Sequence, residues 1–167
     1  GSEPVARLWD TPDPLVDPVV TRGPVKPLII GMAVSSDGNL IATSSAGDPK
    51  LVLWSRKDPR QPERELPVPS ASHAIAFSPD GRWLATASRD KTSRLWDLHS
   101  QDPEGNPRVL RGHDLSVMSL DFSQDGRWLV TGSEDASARV WPIISQDENV
   151  TPLILRELLA GSTHFNE

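Results

Sequence analysis

Tryptophan recurs at a nearly fixed period along this 167-residue chain, and that period constrains the fold more than any other feature of the sequence. Four of the six tryptophans are spaced 45, 42 and 45 residues apart, and each closes a short strand-like segment: Trp9, Trp54, Trp96 and Trp141. An Asp-Gly pair recurs in phase at spacings of 43 and 45, beginning at Asp37, Asp80 and Asp125. A period of about 20 to 50 residues indicates an array of one repeated structural unit.

Each unit is predicted to contain four short β-strands. In the last unit the first strand is marked by Val117 and Phe122, and the others cover 128–132, 137–141 and 152–156. The Asp-Gly pairs lie between alternating apolar runs, where they can supply the positive φ angles of a tight hairpin turn. The stretch 153–159 has helical character in isolation, but its place after a third strand favours a strand that continues into a loop. The sequence therefore predicts an all-β fold.

Composition excludes several classes of function. The formal net charge of −6 disfavours binding to the phosphate backbone of nucleic acids. No apolar run approaches the roughly 18 residues of a transmembrane helix, so no membrane partner is expected. The chain has no cysteine, which excludes disulfides and thiolate metal sites and is compatible with the cytoplasm. The four histidines have no metal-type spacing and no phosphate-binding glycine loop is present, so we expect neither a metal nor a cofactor.

The motifs within the unit resemble those of the WD-repeat family, in which each repeat builds one four-stranded antiparallel blade of a β-propeller. The best match combines the Gly112-His113 pair, the segment 121–126, the segment 132–135 and Trp141; the preceding repeat matches through 77–81 and 94–97. The resemblance covers almost the whole chain. It implies one propeller segment over 1–167, divided into a partial blade (1–23), three blades (24–70, 71–112 and 113–158) and the start of a further repeat (159–167).

Three complete repeats are too few to close a propeller ring, for which this family usually needs about seven blades. We therefore expect an incomplete ring in one chain, which is either a fragment of a larger propeller or part of a homo-oligomer. Two copies come closer to the usual number of blades than three, which favours a dimer over a trimer.

In this family a His, a Ser or Thr, an Asp and the Trp of one repeat can join in a buried hydrogen-bonded network. The resemblance assigns this network to His113, Asp135, Trp141 and either Ser133 or Thr131. A Ser/His/Asp catalytic group is the alternative, but this spacing is typical of packing. Two repeats depart from the pattern at the His position, with Val25 in the first blade and Val68 in the second. By the same count Asp48 and Asp90 keep the turn position, and Glu3 replaces it in the partial unit.

Partners of WD-repeat proteins often contact three positions per blade, where the loop before the first strand and the turn before the third strand emerge. Transferred by count, the nine candidate residues are Leu28, Ile30, Gly47, Ala71, His73, Arg89, Ser116, Met118 and Glu134. They would combine an apolar centre with charged neighbours, as an interaction site requires. A lining of the central channel is the alternative. Trp83 and Trp128, at the start of second strands, are expected to pack between blades.

The resemblance implies a non-enzymatic scaffold for protein–protein interaction, with a protein partner or further copies of the same chain. The residues leave three alternatives open. These are a propeller that binds a small ligand or glycan, an enzymatic propeller with convergent polar residues at its channel, and an engineered propeller fragment with no native ligand.

Overall fold

A computed structural model describes residues 5–8, 19–22, 28–58, 62–102, 105–143 and 151–156. The described residues form fourteen β-strands: β1 (Val5–Leu8), β2 (Val19–Arg22), β3 (Ile29–Val34), β4 (Leu40–Ser45), β5 (Lys50–Ser55), β6 (Pro62–Pro67), β7 (Ser72–Phe77), β8 (Trp83–Ser88), β9 (Ser93–Asp97), β10 (Arg108–Leu110), β11 (Val117–Phe122), β12 (Trp128–Ser133), β13 (Ser137–Pro142) and β14 (Leu153–Arg156). No described segment is a helix long and apolar enough to cross a membrane.

Twelve of these strands form three four-stranded antiparallel sheets in which strands adjacent in sequence are also adjacent in space. We call them blade 1 (β3–β6), blade 2 (β7–β10) and blade 3 (β11–β14). The all-β prediction is confirmed, and the three sheets do not close a ring. β1 pairs with β2 as a separate two-stranded hairpin. The ambiguous stretch after the last tryptophan forms strand β14 as far as Arg156, and the residues beyond it lie outside the described part of the chain.

The Asp-Gly pairs form the turns between the first and second strands, but with one positive φ angle instead of two. Gly38, Gly81 and Gly126 have φ of 69°, 70° and 68°, and no aspartate is left-handed. In the last turn the Asp125 carboxylate instead accepts hydrogen bonds from the Ser123 hydroxyl and the Arg127 backbone N–H. These bonds, that of Ser123 first, lower the pKa of Asp125 to about 2. The aspartate therefore acts as a hydrogen-bond acceptor that closes the turn.

The core lies between neighbouring blades. β3 packs beside β7, and β7 beside β11. Between blades 1 and 2 the buried cluster includes Leu53, Leu84 and Trp96, and between blades 2 and 3 it includes Leu129 and Trp141. The apolar faces of these sheets are therefore buried where another sheet lies against them.

Candidate interaction site

The residues assigned to the network in blade 3 come together around the His113 imidazole. Its Nδ1 lies 2.9 Å from Asp135 Oδ2, and its Nε2 lies 2.9 Å from the Thr131 hydroxyl. The Trp141 indole N–H donates to the same hydroxyl at 2.9 Å. His113 lies in the loop before β11, Thr131 on β12 and Trp141 on β13, so the network ties the loop to the two middle strands of the sheet.

Thr131, not Ser133, supplies the hydroxyl of this network. Ser133 lies two residues further along β12, where its Oγ donates to the Leu115 carbonyl and accepts from the Asp135 backbone N–H. The sequence interpretation left the choice between the two residues open. It also missed Ser137, whose hydroxyl lies 3.3 Å from His113 Nδ1 and donates to Asp135 Oδ1 at 2.5 Å. A recurring pattern could have revealed it, because Thr92 follows Asp90 by two residues and makes the same bond in blade 2.

The Asp135 carboxylate is the charged centre of the network. Burial by itself raises its pKa, but hydrogen bonds from Ser137, from the Asp114 backbone N–H and from His113 outweigh burial and hold the pKa of Asp135 well below its usual range. Asp135 is therefore ionised at neutral pH and holds the loop before β11 against the turn before β13.

Thr131, His113 and Asp135 contact one another in the sequence of the nucleophile, base and carboxylate of a catalytic triad. Their surroundings, however, argue against catalysis at this group. The Thr131 residue is 1% exposed and the His113 side chain 2%, so no substrate can approach the hydroxyl. That hydroxyl also accepts the Trp141 N–H, which withdraws its electron density from attack. Among the described residues no three His, Asp or Glu side chains lie close enough to hold a metal ion. This geometry suits a structural network.

The other two blades retain only parts of the network. In blade 1 the Trp54 indole N–H donates to Thr43 at 2.9 Å, and Val25 lies outside the described residues. In blade 2 Val68 occupies the His position and is buried. In the same blade the Thr86 hydroxyl and the Trp96 indole N–H are buried and have no hydrogen-bond partner among the described residues. Asp90 bonds to Arg94 and Thr92.

A register shift occurs at the same place in the first strand of all three blades. In blade 2 Ser72 pairs with Ser88 and Ala74 with Ala87, so His73 has no cross-strand partner. Ile30 in blade 1 and Met118 in blade 3 occupy the same unpaired position. Such bulges redirect a side chain and are common beside functional sites. Because β3, β7 and β11 lie side by side, the three redirected side chains lie at the same end of the three blades. No feature of the sequence predicted these bulges.

The remaining candidate residues surround the bulges. Arg89, in the turn before β9, donates from Nε to His73 Nε2 at 2.9 Å, which joins two of the candidates directly. The Glu134 N–H donates to the Ser116 carbonyl, which joins two more. Leu28 and Met118 are 58% and 42% exposed, and Ile30 is half-buried. Gly47 is exposed and Ala71 half-buried. The nine positions thus include exposed apolar groups beside an exposed Arg89 and Glu134.

Trp83 and Trp128 occupy equivalent places but have different surroundings. Trp83 is half-buried against the core between blades 2 and 3, and the Arg82 guanidinium lies 5.2 Å from the centre of its ring. Trp128 is 43% exposed. Packing between blades is therefore seen for Trp83, whereas Trp128 lies on the face of blade 3 that no other described sheet covers.

Comparison with known proteins identifies the repeat. Residues 61–97 and 106–142 match the family model described as WD domain, G-beta repeat. A transcriptional corepressor, LEUNIG_HOMOLOG from Arabidopsis thaliana, is 34% identical over 96 residues, which cover 56% of this chain and 11% of the corepressor. The WD repeat-containing protein SL1-17 of Schistosoma mansoni is 44% identical over 78 residues, or 47% of this chain and 26% of that protein.

A third relative is the small ribosomal subunit protein RACK1 of Medicago sativa. It is 36% identical over 70 residues, which cover 42% of this chain and 21% of that protein. The chain therefore matches about a quarter or less of the length of these three relatives. The two segments matched by the family model correspond closely to β6–β9 and to β10–β13.

Proposed function

We propose that this chain is a non-enzymatic WD-repeat scaffold that binds a protein partner, and that the partner contacts the bulged ends of the first strands. The match of residues 61–97 and 106–142 to the WD-repeat model supports this proposal. The observation that carries this proposal is the register shift at Ile30, His73 and Met118. A strand needs no bulge to pack against a neighbouring blade, whereas a bulge changes the direction of one side chain at a surface. The relatives named as a corepressor and a ribosomal subunit protein support a scaffold role.

The surface has the composition of an interaction site. Leu28 and Met118 present apolar side chains to solvent, and Arg89 and Glu134 supply charge beside them. The bond between Arg89 and His73 holds the guanidinium in place before a partner arrives, which reduces the entropy lost on binding. The absence of cysteine from the sequence is compatible with a cytoplasmic location.

A peptide selection tests this site. A library of random peptides is selected on the wild-type chain, and the affinity of the selected peptides is then measured for the double variant Met118→Glu, Arg89→Glu. We expect binding to weaken by about tenfold or more, because an apolar contact and a cation are both lost. Thermal unfolding should change little, since surface substitutions usually alter stability by about 0.5 kcal/mol or less.

The matched control is Lys57→Glu, which reverses one exposed charge away from the nine positions and should leave the affinity unchanged. If selected peptides bind the double variant as tightly as the wild type, the partner surface lies elsewhere and the proposal fails.

We further propose that copies of the chain associate through the uncovered blade faces, as a dimer in preference to a trimer. Met32 and Val34 are exposed on blade 1, and Trp128 and Val130 on blade 3, where burial would be favourable by roughly 25 cal/mol per Å² of apolar surface. Two copies would supply six blades, within the range of about four to eight in propellers, whereas three would supply nine. Light scattering across a dilution series tests this: a constant monomer mass of 18.3 kDa would contradict it.

A further inference from the structure

A cleft of about 1100 Å³ opens between blades 2 and 3. Its walls include the turns that follow the first strands, at Asp80 and at 124–127, which lie at the end opposite the bulges. The outer strand β10 contributes Val109 to the wall. The volume is slightly above the range of about 300 to 1,000 Å³ that is typical of small-ligand cavities, so the cleft has room for a peptide segment. The nine candidate residues of the first surface do not line it.

The cleft has apolar surface along its walls. Trp83 is half-buried at one side of the cleft. Leu95 and Ile143 are buried side chains that also line its wall. Val109 is half-buried on β10. A ligand that fills the cleft would therefore cover an aromatic ring and aliphatic side chains, which provides the apolar part of the binding free energy.

The charges along the cleft are more positive than those of the chain as a whole. Four arginines and three aspartates line it, a local sum of +1 in a chain of net charge −6. All three aspartates are already occupied. Asp97 accepts from Arg82, Asp80 accepts from the Ser78 hydroxyl and the Arg82 backbone N–H, and the third, in the 124–127 turn, accepts from its own turn. Their negative charge is therefore partly neutralised before any ligand binds.

Among the described residues, Arg127, Arg111 and Arg82 keep hydrogen-bond donors that are not used. Arg127 bonds to Asp125 through Nε, and its side chain is 62% exposed. Arg111 is exposed and forms no hydrogen bond or ion pair through its side chain with any residue in the described part of the chain. Arg82 donates to Asp97 through Nε and Nη2 while it lies over the Trp83 ring. A guanidinium group with unused donors can bind a carboxylate through paired hydrogen bonds.

One strand beside the cleft also has an unpaired edge. β10 is the outermost strand of blade 2 and pairs with β9 alone among the described strands. Its backbone groups on the other edge can receive an added strand, and an extended peptide binds in this way through main-chain hydrogen bonds. A small anion would use the arginines but not this edge or the apolar walls.

We propose that this cleft is a second interaction site, which binds an extended acidic segment of a partner protein with a bulky apolar side chain between its carboxylates. The apolar side chain lies against Trp83 and Val109, and the carboxylates accept from Arg111 and Arg127. Nucleic acid is not proposed as the occupant, because a phosphate backbone would use the arginines but neither the edge of β10 nor the apolar walls.

The test is a fluorescence anisotropy titration of the whole chain with a fluorescein-labelled peptide in which one Phe stands between Glu residues. We expect saturable binding that falls about tenfold in Arg111→Glu, because a cation at the rim of the site becomes an anion. Lys57→Glu, an equal reversal of charge at an exposed position outside the cleft, should change the affinity less than twofold. Arg111 is exposed, so thermal unfolding of its variant should match that of the wild type.

Four results would overturn the proposal. The first is absence of binding at millimolar peptide, and the second is equal binding of a peptide with Lys in place of Glu. The third is equal affinity of the wild type and Arg111→Glu. Saturable binding of inorganic phosphate without binding of the peptide would also overturn it and would leave an anion site only. The first surface is tested by different variants, at Met118 and Arg89, so failure of this proposal can be distinguished from failure of the first.

Discussion

Blades 2 and 3 have nearly the same sequence pattern but different surroundings. Blade 2 lies between two other sheets, and Ala85 in the middle of its second strand is 0% exposed. The equivalent residue of blade 3, Val130, is 40% exposed. The tryptophans two positions earlier show the same difference in exposure, because Trp83 of blade 2 is half-buried and Trp128 of blade 3 is 43% exposed. In a repeat array, burial is therefore decided by whether the next repeat is present and not by the sequence of the repeat itself.

Internal hydrogen bonding favours blade 3, although apolar burial favours blade 2. Blade 3 has the complete network around His113, whereas blade 2 has Val68 at that position, and in the described part of the chain nothing hydrogen-bonds to the Thr86 hydroxyl or the Trp96 indole N–H. Blade 2 thus gains apolar cover on both faces, and blade 3 gains internal hydrogen bonds. The comparison indicates that the two blades are stabilised by different interactions, and substitutions at equivalent positions can separate them.

The largest difference is expected for a charge placed in the second strand. Ala85→Glu should lower the free energy of unfolding by about 3 kcal/mol or more, because it buries an unpaired carboxylate between two sheets. Val130→Glu at the equivalent place should cost about 0.5 kcal/mol or less, since its carboxylate remains hydrated. Urea unfolding of both variants measures the two values.

The measurement belongs at low protein concentration, where association of copies contributes least to stability. Equal destabilisation by the two substitutions would contradict the comparison and would mean that the face of blade 3 is covered in the folded protein. Val130→Ala provides the control for the loss of the apolar side chain without a charge.

Much of the fold was predictable because strand and turn patterns are local. The period of the tryptophans and the Asp-Gly pairs located all three sheets, and the resemblance to the WD-repeat family assigned the network around His113 while it left open the choice between Ser133 and Thr131. The conformation of the turns was predicted only in part. Asp37 and its equivalents were expected to help supply positive φ angles, but their carboxylates accept hydrogen bonds from Ser35 and equivalent serines instead. A dipeptide pattern does not distinguish these two kinds of turn.

The candidate site was less predictable, because it depends on strand register and on contacts between residues that are distant in sequence. The bulges at Ile30, His73 and Met118 follow from a shift in strand register, which alternation of side chains does not encode. The bond between Arg89 and His73 joins residues sixteen positions apart on two different elements. The cleft requires two blades to be placed side by side, so no single repeat contains it.

The smaller expected difference concerns one hydroxyl in each blade. Thr131→Val should lower the free energy of unfolding by about 1 to 3 kcal/mol, because the Trp141 N–H loses its acceptor and His113 loses its partner inside the sheet. Thr86→Val in blade 2 should change stability by about 0.5 kcal/mol or less, or increase it, since the hydroxyl that it removes is buried without a partner. Both substitutions keep a β-branched side chain of similar shape on a central strand, so the strand propensity and the packed volume stay nearly constant. Urea unfolding gives the difference between the two variants, which is the net contribution of the hydroxyl in the network. If both substitutions cost the same, the hydrogen bonds around Thr131 add nothing that blade 2 lacks, and the network cannot be what distinguishes blade 3.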